Sequence, residues 1–546
     1  MDIRTTGGAA TDAEMAAVDG LLGKPESLWE GGERRPADDH VGYGGRAVRS
    51  QRHMLLPVLH SIQDRVGWVS RGALEYACRR LSIPPAEAYG VVSFYARFGR
   101  EPRGEKAVHV CDDIVCMLAG AKAEHGVPCL GLCDRAPATL TERYGEAYTA
   151  EQTAHESPQF AGAKLLRRAG VVDPDSLDSY RSHGGFEPLR RARQMGPATV
   201  IQKVTEAGLL GRGGAAFPTG RKWESVAKEP ARPHYLVCNA DESETGTFKD
   251  RVLMENDPFA LVEGMAIAAL ATGCEKGYVY IRDEYPLARR RVGNAIAQAR
   301  EAGLLEIDVE VRRGAGAYIC GEETALFNSI EGKRGEPRNK PPFPVQVGLF
   351  GKPTLVNNVE TLFNVLDIVN GDFGNTRLFC VSGHVDAAGV YEVPMGTPLR
   401  TLLRQAGARD VQAVLLGGAA GSFLTPDQFD VPLSFEGVRA IGATLGSGAV
   451  IVFDETADMK QVMLRIARFF RDESCGQCVP CRVGTKRQEE ILERMFQKPN
   501  NDGQADVALL SDIAQAMRDA SICGLGQTAA NAIASGLTQL KVLNSG

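Results

Sequence analysis

Three cysteines at successive two-residue gaps, Cys475, Cys478 and Cys481 in Cys-Gly-Gln-Cys-Val-Pro-Cys, constrain this 546-residue chain more than any other feature. Thiolates this close together can hold three corners of an iron-sulfur cubane, and a distant fourth, Cys523 in Ser521-Ile-Cys-Gly-Leu-Gly, closes the site. Zinc sites favour two separated pairs instead. A nickel-iron site would need a second Cys-x-x-Cys pair near the C-terminus, and the sequence has none. An earlier group joins Cys111-x4-Cys116 to Cys129-x3-Cys133. Four thiolates in two loops suit a 2Fe-2S cluster with one pair on each iron, but also a structural or zinc role. The other five of the 13 cysteines, Cys78, Cys238, Cys274, Cys320 and Cys380, stand alone and read as small buried hydrophobes.

Clustered thiols in a reducing compartment are metal or redox groups rather than disulfides. Met1–Ala10 carries no apolar core, so no secretory signal is expected and the compartment is read as cytoplasmic. No apolar run reaches the roughly 18 residues of a membrane helix, so direct membrane insertion is not expected. With 62 Lys and Arg against 68 Asp and Glu, the net charge of −6 leaves no basic footprint for nucleic acid.

At about 150 residues per domain the chain holds three or four domains. Residues 1–50 are polar and glycine-punctuated and read as a flexible arm with one short helix near Met15–Leu22. Within 51–100, Leu55, Leu59 and Ile62, then Leu74, Ala77 and Leu81, then Ala86, Tyr89 and Val92 recur at helical spacing. Residues 101–165 open on a strand pattern, Ala107–Val110, and hold the first cysteine group. Residues 166–197, ending in the Gly/Pro/Arg-rich Ser182–Pro197, read as a linker. The block 198–375 alternates helical patterns (Val200–Leu210, Pro258–Ala271) with strand patterns (Tyr235–Cys238, Gly277–Ile281), which argues an α/β fold. Residues 376–455 form a small α+β module, and 456–546 are helical.

Gly211-Arg212-Gly213-Gly214-Ala-Ala216-Phe217-Pro218 nominally matches a dinucleotide fingerprint, but it follows a helical pattern and meets Pro218 at once. A loop without β-carbons at three places still lets backbone N–H groups approach a phosphate or a flat ring, and alone it reads equally as a mobile surface loop. Asn239-Ala-Asp241-Glu242-Ser-Glu244 follows the Tyr235–Cys238 strand pattern, at the strand end where α/β proteins bind ligands. Gly314-Ala-Gly316-Ala-Tyr318-Ile-Cys320-Gly321-Glu322-Glu323 repeats the combination of glycines, an aromatic and paired acids. Together the three argue a ligand site rather than solvated acidic loops.

With Lys340-Pro-Pro-Phe343-Pro, Asn357-Asn358-Val-Glu-Thr361 and Glu473-Ser-Cys475-Gly-Gln-Cys478, these runs resemble the NADH-oxidising flavoprotein subunit of respiratory complex I. Residues 55–140 resemble its neighbouring thioredoxin-like 2Fe-2S subunit. A fusion of the two is similar to the diaphorase subunits of soluble NAD-dependent formate dehydrogenases and NAD-reducing hydrogenases. The resemblance implies a multidomain α/β and α+β chain. Its parts are a helical domain (51–100), a thioredoxin-like 2Fe-2S domain (101–165), a Rossmann-like FMN and NADH domain (198–375), a ubiquitin-like module (376–455) and a C-terminal helical bundle with a 4Fe-4S cluster (456–546). It implies FMN at Gly211, Arg212, Gly213, Gly214 and Lys222, with Asn239, Asp241 and Glu242 toward the ribityl chain. Tyr318, Gly321, Glu322, Asn357, Asn358 and Thr361 complete that pocket. NADH is implied beside Phe217, Phe343 and Lys340, with Glu244 and Glu323 as the acids nearest the chemistry. The implied clusters are 4Fe-4S on Cys475, Cys478, Cys481 and Cys523, and 2Fe-2S on Cys111, Cys116, Cys129 and Cys133.

Glu473–Cys478 and Met517–Gln527 look most like the beta subunit of molybdenum or tungsten NAD-dependent formate dehydrogenase. That implies a hetero-oligomer with the formate-oxidising subunit and a further small iron-sulfur subunit. The alternatives are the diaphorase of an NAD-reducing hydrogenase, a fused complex I subunit, and an iron-sulfur scaffold that binds no NAD. Three departures stand out: Ala216 where glycine is usual, Thr245 where proline is common, and only 12 residues between Cys116 and Cys129, where a longer segment is expected.

Overall fold

The computed structural model describes residues 8–25, 51–154, 164–497, 504–540 and Val542. The first helix, Asp12–Leu22, opens with a capping box in which Thr11 and Glu14 satisfy each other's backbone N–H groups. It is docked on the helical domain of Leu55–Val66, Arg71–Leu81 and Pro85–Phe94. Ser61 Oγ donates to the Ala17 carbonyl at 2.8 Å and Tyr76 OH to Asp19 at 2.8 Å. The short helix expected near Met15–Leu22 is present, but over residues 8–25 the arm is docked rather than flexible; residues 1–7 and 26–50 lie outside the described residues.

Strands β1 (Lys106–Val110), β2 (Thr139–Arg143) and β3 (Thr149–Gln152) form an antiparallel sheet in that order. The first cysteine group lies in the loops between β1 and β2, around a short helix, Ile114–Leu118. Residues 166–197 are not a linker. They form helices Leu177–Ser182 and Glu187–Met195, held to the following domain by one buried carboxylate. Glu263 accepts from Tyr180 OH at 2.6 Å and from the N–H groups of Phe186 and Leu189 at 2.9 Å. The apolar Leu165, Leu166, Tyr180 and Leu189 that make this packing favourable are scattered among glycines and arginines, which hides the pattern.

The central domain carries a parallel sheet of β4 (Tyr235–Ala240), β5 (Lys276–Ile281), β6 (Asp308–Arg313) and β7 (Thr354–Asn358), in the order β6-β5-β4-β7. Helix Pro258–Thr272 is buried almost all round, which is why its sequence is apolar without an amphipathic stripe. The next module has β8 (Thr376–Gly383), β9 (Gly389–Pro394), β10 (Val411–Leu416), β11 (Ser422–Leu424) and β12 (Ala449–Asp454), ordered β11-β10-β12-β8-β9. Only β8 and β12 pair in parallel, and helix Leu399–Gln405 helps fill a separate core of Phe379, Leu402, Val414 and Val450. Among the described residues five helices follow: Met459–Glu473, Val479–Gln497, Gln504–Ala520, Gly524–Thr528 and Asn531–Gln539. Among the described residues no helix is long and apolar enough to cross a membrane.

Candidate active site

The chain runs β4, β5, β6 outward in one direction and then returns to place β7 on the other side of β4. A crevice opens where that order reverses, at the C-terminal ends of β4 and β7. Cys238 and Asn239 pair there with Asn357 and Asn358. Asn239 Nδ2 donates to the Gly321 carbonyl at 2.9 Å. Asn358 caps helix Val359–Asn370 and donates to Asp250 at 2.6 Å, while Asn357 Oδ1 accepts from the buried indole of Trp223 at 2.9 Å.

The glycine-rich loop is pinned, not mobile. Gly211 N–H donates to the Phe217 carbonyl at 3.0 Å and Thr219 N–H to Leu209 at 2.9 Å, just before helix Thr219–Lys228. A β-carbon at Gly213 would stand 3.2 Å from Asn358 Cβ, and one at Gly214 would stand 3.7 Å from Gly446 in the following module. Ala216 sits at φ 52°, a left-handed conformation that costs an L-residue roughly 1–2 kcal/mol. Arg212 donates its backbone N–H to Thr361 Oγ1 at 2.9 Å, while its guanidinium reaches Asn375 and the Thr376 carbonyl. Arg212 and Thr361 thus hold the loop in place.

Lys340 bridges Glu322 at 2.8 Å and Glu323 at 3.1 Å, and Lys222 approaches Glu323 at 3.5 Å and the Val356 carbonyl at 3.2 Å. Burial works to raise Glu323, but the two lysines hold it below its ordinary range. Phe217 and Phe343 are half exposed, with Lys222 Nζ 5.8 Å from the Phe217 ring centre. Asp241 is buried, its Oδ2 has no hydrogen-bond partner, and burial pushes it well above the carboxylate range. A β-carbon at Gly321 would meet only that oxygen within 4 Å, so the space over Gly321 is an open cradle beside an unsatisfied polar atom.

Two of the expected acids are engaged by neighbouring donors. Glu242 accepts from the N–H groups of Asp250 at 2.8 Å and Arg251 at 2.9 Å, and burial lifts it to about 8. Glu244 accepts from Ala420 N–H at 3.1 Å and Ser447 Oγ at 2.9 Å, and burial lifts it to about 7. Thr245, at the position where proline is common, donates to Asp113 beside the first cysteine group at 2.7 Å. Tyr318 N–H donates to Glu473 at 2.8 Å and its ring lies 5.1 Å from Phe469, which ties the crevice to the C-terminal helices.

Both cysteine groups assemble. The neighbouring Cys116 and Cys129 push the Cys111 thiol well above its ordinary range, and Cys129 Sγ lies 3.5 Å from Cys133 Sγ. The short segment before Cys129 folds back through the Val127 N–H to the Val110 carbonyl at 3.0 Å, so 12 residues suffice to bring all four thiols together. In the C-terminal group, burial lifts Cys481 to about 12, with Cys478, Cys523 and Cys475 adding to it, and lifts Cys523 to about 11. Ligation requires thiolates, so iron charge must draw these protons off. Among the described residues no three or more His, Cys, Asp or Glu side chains form a site for a single metal ion.

Sequence reasoning missed the side chains that join the first cysteine group to the crevice. Arg251 is fully buried and reaches both oxygens of Asp134 at 2.7 Å, Glu255 at 3.0 Å and the Gly131 carbonyl at 3.1 Å. Arg465 donates to the Asp112 carbonyl at 3.1 Å, and Arg282 donates to the Cys129 carbonyl. Apart from Arg251–Glu255, these pairs lie more than a hundred residues apart, so local spacing carries no trace of them.

A switch-point crevice beside two four-thiol groups defines a flavin and iron-sulfur oxidoreductase of the NADH dehydrogenase or diaphorase type. Family models match as the Nuo51 FMN-binding domain over 204–367 and the NADH-ubiquinone oxidoreductase-F iron-sulfur binding region over 461–541. Two further models match: a thioredoxin-like 2Fe-2S ferredoxin over 45–125 and an SLBB domain over 378–415. The F 2 subunit of the NADH-quinone oxidoreductase of Rhizobium meliloti (strain 1021) is 42% identical over 403 residues, covering 69% of this chain and 95% of that protein. NADP-reducing hydrogenase subunit HndC of Solidesulfovibrio fructosivorans is 43% identical over 394 residues, covering 68% of this chain and 80% of that protein. A crystal structure of an NAD+-reducing NiFe hydrogenase in the air-oxidized state superposes with a TM-score of 0.79 at 32% identity, covering 90% of this chain and 93% of its counterpart. The chain belongs to the family of FMN-binding NADH-quinone oxidoreductase subunits, with a thioredoxin-like 2Fe-2S segment fused in front. It carries FMN, NADH, 4Fe-4S and 2Fe-2S binding regions, and the open cradle beside Asp241 and the two converged thiol groups fit those cofactors.

Proposed function

We propose that this chain is the NAD-facing subunit of a cytoplasmic formate dehydrogenase, passing electrons between NAD(H) and a molybdenum or tungsten subunit that oxidises formate. The observation that carries the electron-transfer reading is the union in one chain of a switch-point crevice and two thiol groups, one joined to it through Thr245 and Asp113, the other through Tyr318 and Glu473. The formate assignment is supported by the Glu473–Cys478 and Met517–Gln527 runs. A second reading, the diaphorase of an NAD-reducing hydrogenase, is favoured by the superposition over nearly the whole chain.

In this reading the N–H groups of the Gly211–Gly214 loop face the flavin phosphate, and Asn239 and Asp241 take ribityl hydroxyls. Lys222 and Lys340 bring positive charge to phosphate, Glu322, Tyr318, Asn357 and Asn358 shape the walls, and Phe217 and Phe343 offer faces for the nicotinamide and adenine rings. Glu323, paired with both lysines, stays ionised, whereas Glu244 can hold or release a proton near neutral pH. Bound FMN supplies the chemistry that takes electrons in pairs from NADH and gives them up one at a time. Arg212, Thr361 and Glu242 keep loops and helix starts in place. The mixed sheet with helices Leu399–Gln405 and Phe435–Ala440 packed on its core supports a ubiquitin-like reading of 376–455, and the helices of 456–546 a bundle around the 4Fe-4S ligands.

The test is NAD reduction by the native complex with formate, and separately with hydrogen. Formate-dependent NADH formation supports the leading reading, and hydrogen-dependent formation replaces it with the second. Loss of both flavin retention and NADH-dependent dye reduction would leave only a scaffold.

A further inference from the structure

We propose that Arg282 is a positioning residue that sets the reduction potential of the N-terminal cluster and fastens the cluster's loop to the acidic loop of the crevice. The proposal rests on reading Cys111, Cys116, Cys129 and Cys133 as 2Fe-2S ligands. Arg282 follows the last residue of β5 and is only 3% exposed. One terminal nitrogen donates to the Cys129 carbonyl, and the other donates to the Glu242 carbonyl at 2.7 Å. One planar cation therefore holds a ligand-bearing turn and a crevice loop at a fixed separation. A guanidinium does this better than an ammonium because its donors form a rigid fork.

Tyr285 completes the clamp. Its ring lies 5.0 Å from the Arg282 guanidinium carbon, and a β-carbon at Gly131 would stand 2.2 Å from its hydroxyl oxygen. Only glycine fits at that φ of 66°, and the Gly131 N–H donates to Cys129 Sγ at 3.4 Å. The Cys129–Gly131 turn is thus held on one side by Arg282 and on the other by Tyr285.

Arg282 is also a permanent charge in a dry site, where charge interactions are strong. Reduction adds one electron to a cluster, so a cation against its ligand loop favours the reduced form and raises the potential. Two buried carboxylates act in the opposite sense. Glu284 lies 3.3 Å from Arg282 Nε, and Asp113 sits at the start of the short helix beside Cys111. The balance of Arg282 against Glu284 sets the potential.

Anaerobic redox titration of the full-length chain, followed by EPR, tests this with two substitutions of opposite sign. Arg282→Gln is expected to shift the N-terminal cluster to a more negative midpoint, and Glu284→Gln to a more positive one, with the 4Fe-4S midpoint unmoved in both. Arg282→Lys keeps the charge and is expected to restore most of the potential. Unmoved midpoints in both neutral variants, with both clusters present, overturn the proposal. If Arg282→Gln loses the cluster, Glu284→Gln decides alone: a positive shift supports the proposal and no shift overturns it. A wild-type chain with only about four irons overturns the 2Fe-2S reading itself, and this proposal with it.

Discussion

Cys475, Cys478 and Cys481 lie in one loop and the helix start that follows it, whereas Cys111, Cys116, Cys129 and Cys133 are spread over the β1–β2 connection and its short helix, which the neighbouring domain covers. Three of the four C-terminal thiols are partly exposed, while all four N-terminal thiols are buried. The C-terminal group is encoded by spacing and needs one distant partner, Cys523. The N-terminal group depends on Arg251, Arg282 and Thr245 from the central domain and Arg465 from the C-terminal helices. A cluster site can therefore be local in sequence or a property of the interface between domains, and the two kinds should fail differently.

The largest expected effect breaks the local site. Cys478→Ser should lose about four irons and one EPR signal while the N-terminal signal stays, which iron analysis and EPR check. Arg251→Ala should do the reverse. It leaves the buried Asp134 and Glu255 only the longer contacts to Arg135, at 3.5 Å each, should cost up to about 3–5 kcal/mol in denaturation, and should remove the N-terminal signal while leaving the C-terminal one.

Smaller changes sharpen the comparison inside the crevice. Trp223→Phe leaves Asn357 Oδ1 without its donor and should cost about 1–3 kcal/mol in thermal unfolding, with weaker flavin retention. Glu244 shares the pH dependence with Glu242 and Glu473, which burial also raises. Burial lifts it from 4.5 to about 7, so its ionisation costs the folded state more than the unfolded one. Flavin-free protein should lose stability as pH rises from 4.5 to about 7, and Glu244→Gln should flatten that slope in denaturant titrations at successive pH values. Ala216→Gly should have the smallest effect. Relief of the φ 52° strain is partly offset by a freer unfolded chain, for a net stabilisation within about 1 kcal/mol by calorimetry.

The alternation in 198–375 announces the parallel sheet, because its strands are short apolar runs between longer helical patterns. The strand order, which creates the crevice, is not legible, since nothing local says that β7 returns beside β4. The glycine-rich loop is visible in the sequence, but its closure by Gly211 and Phe217 is not. Residues 12–22 and 166–197 depart from the expected arm and linker because their buried contacts, such as Tyr76 to Asp19 and Tyr180 to Glu263, join polar atoms that a sequence pattern assigns to solvent. Arg282 escapes a sequence reading for the same reason: its partner Cys129 is 153 residues away.

A flavin and two clusters carried by one chain should all accept electrons from NADH. Purifying the chain anaerobically, counting iron and flavin per chain, and recording EPR after NADH addition tests this most directly. About six irons, one FMN and two NADH-reducible signals are predicted. About four irons with a single reducible signal would contradict it and reduce Cys111, Cys116, Cys129 and Cys133 to a structural group.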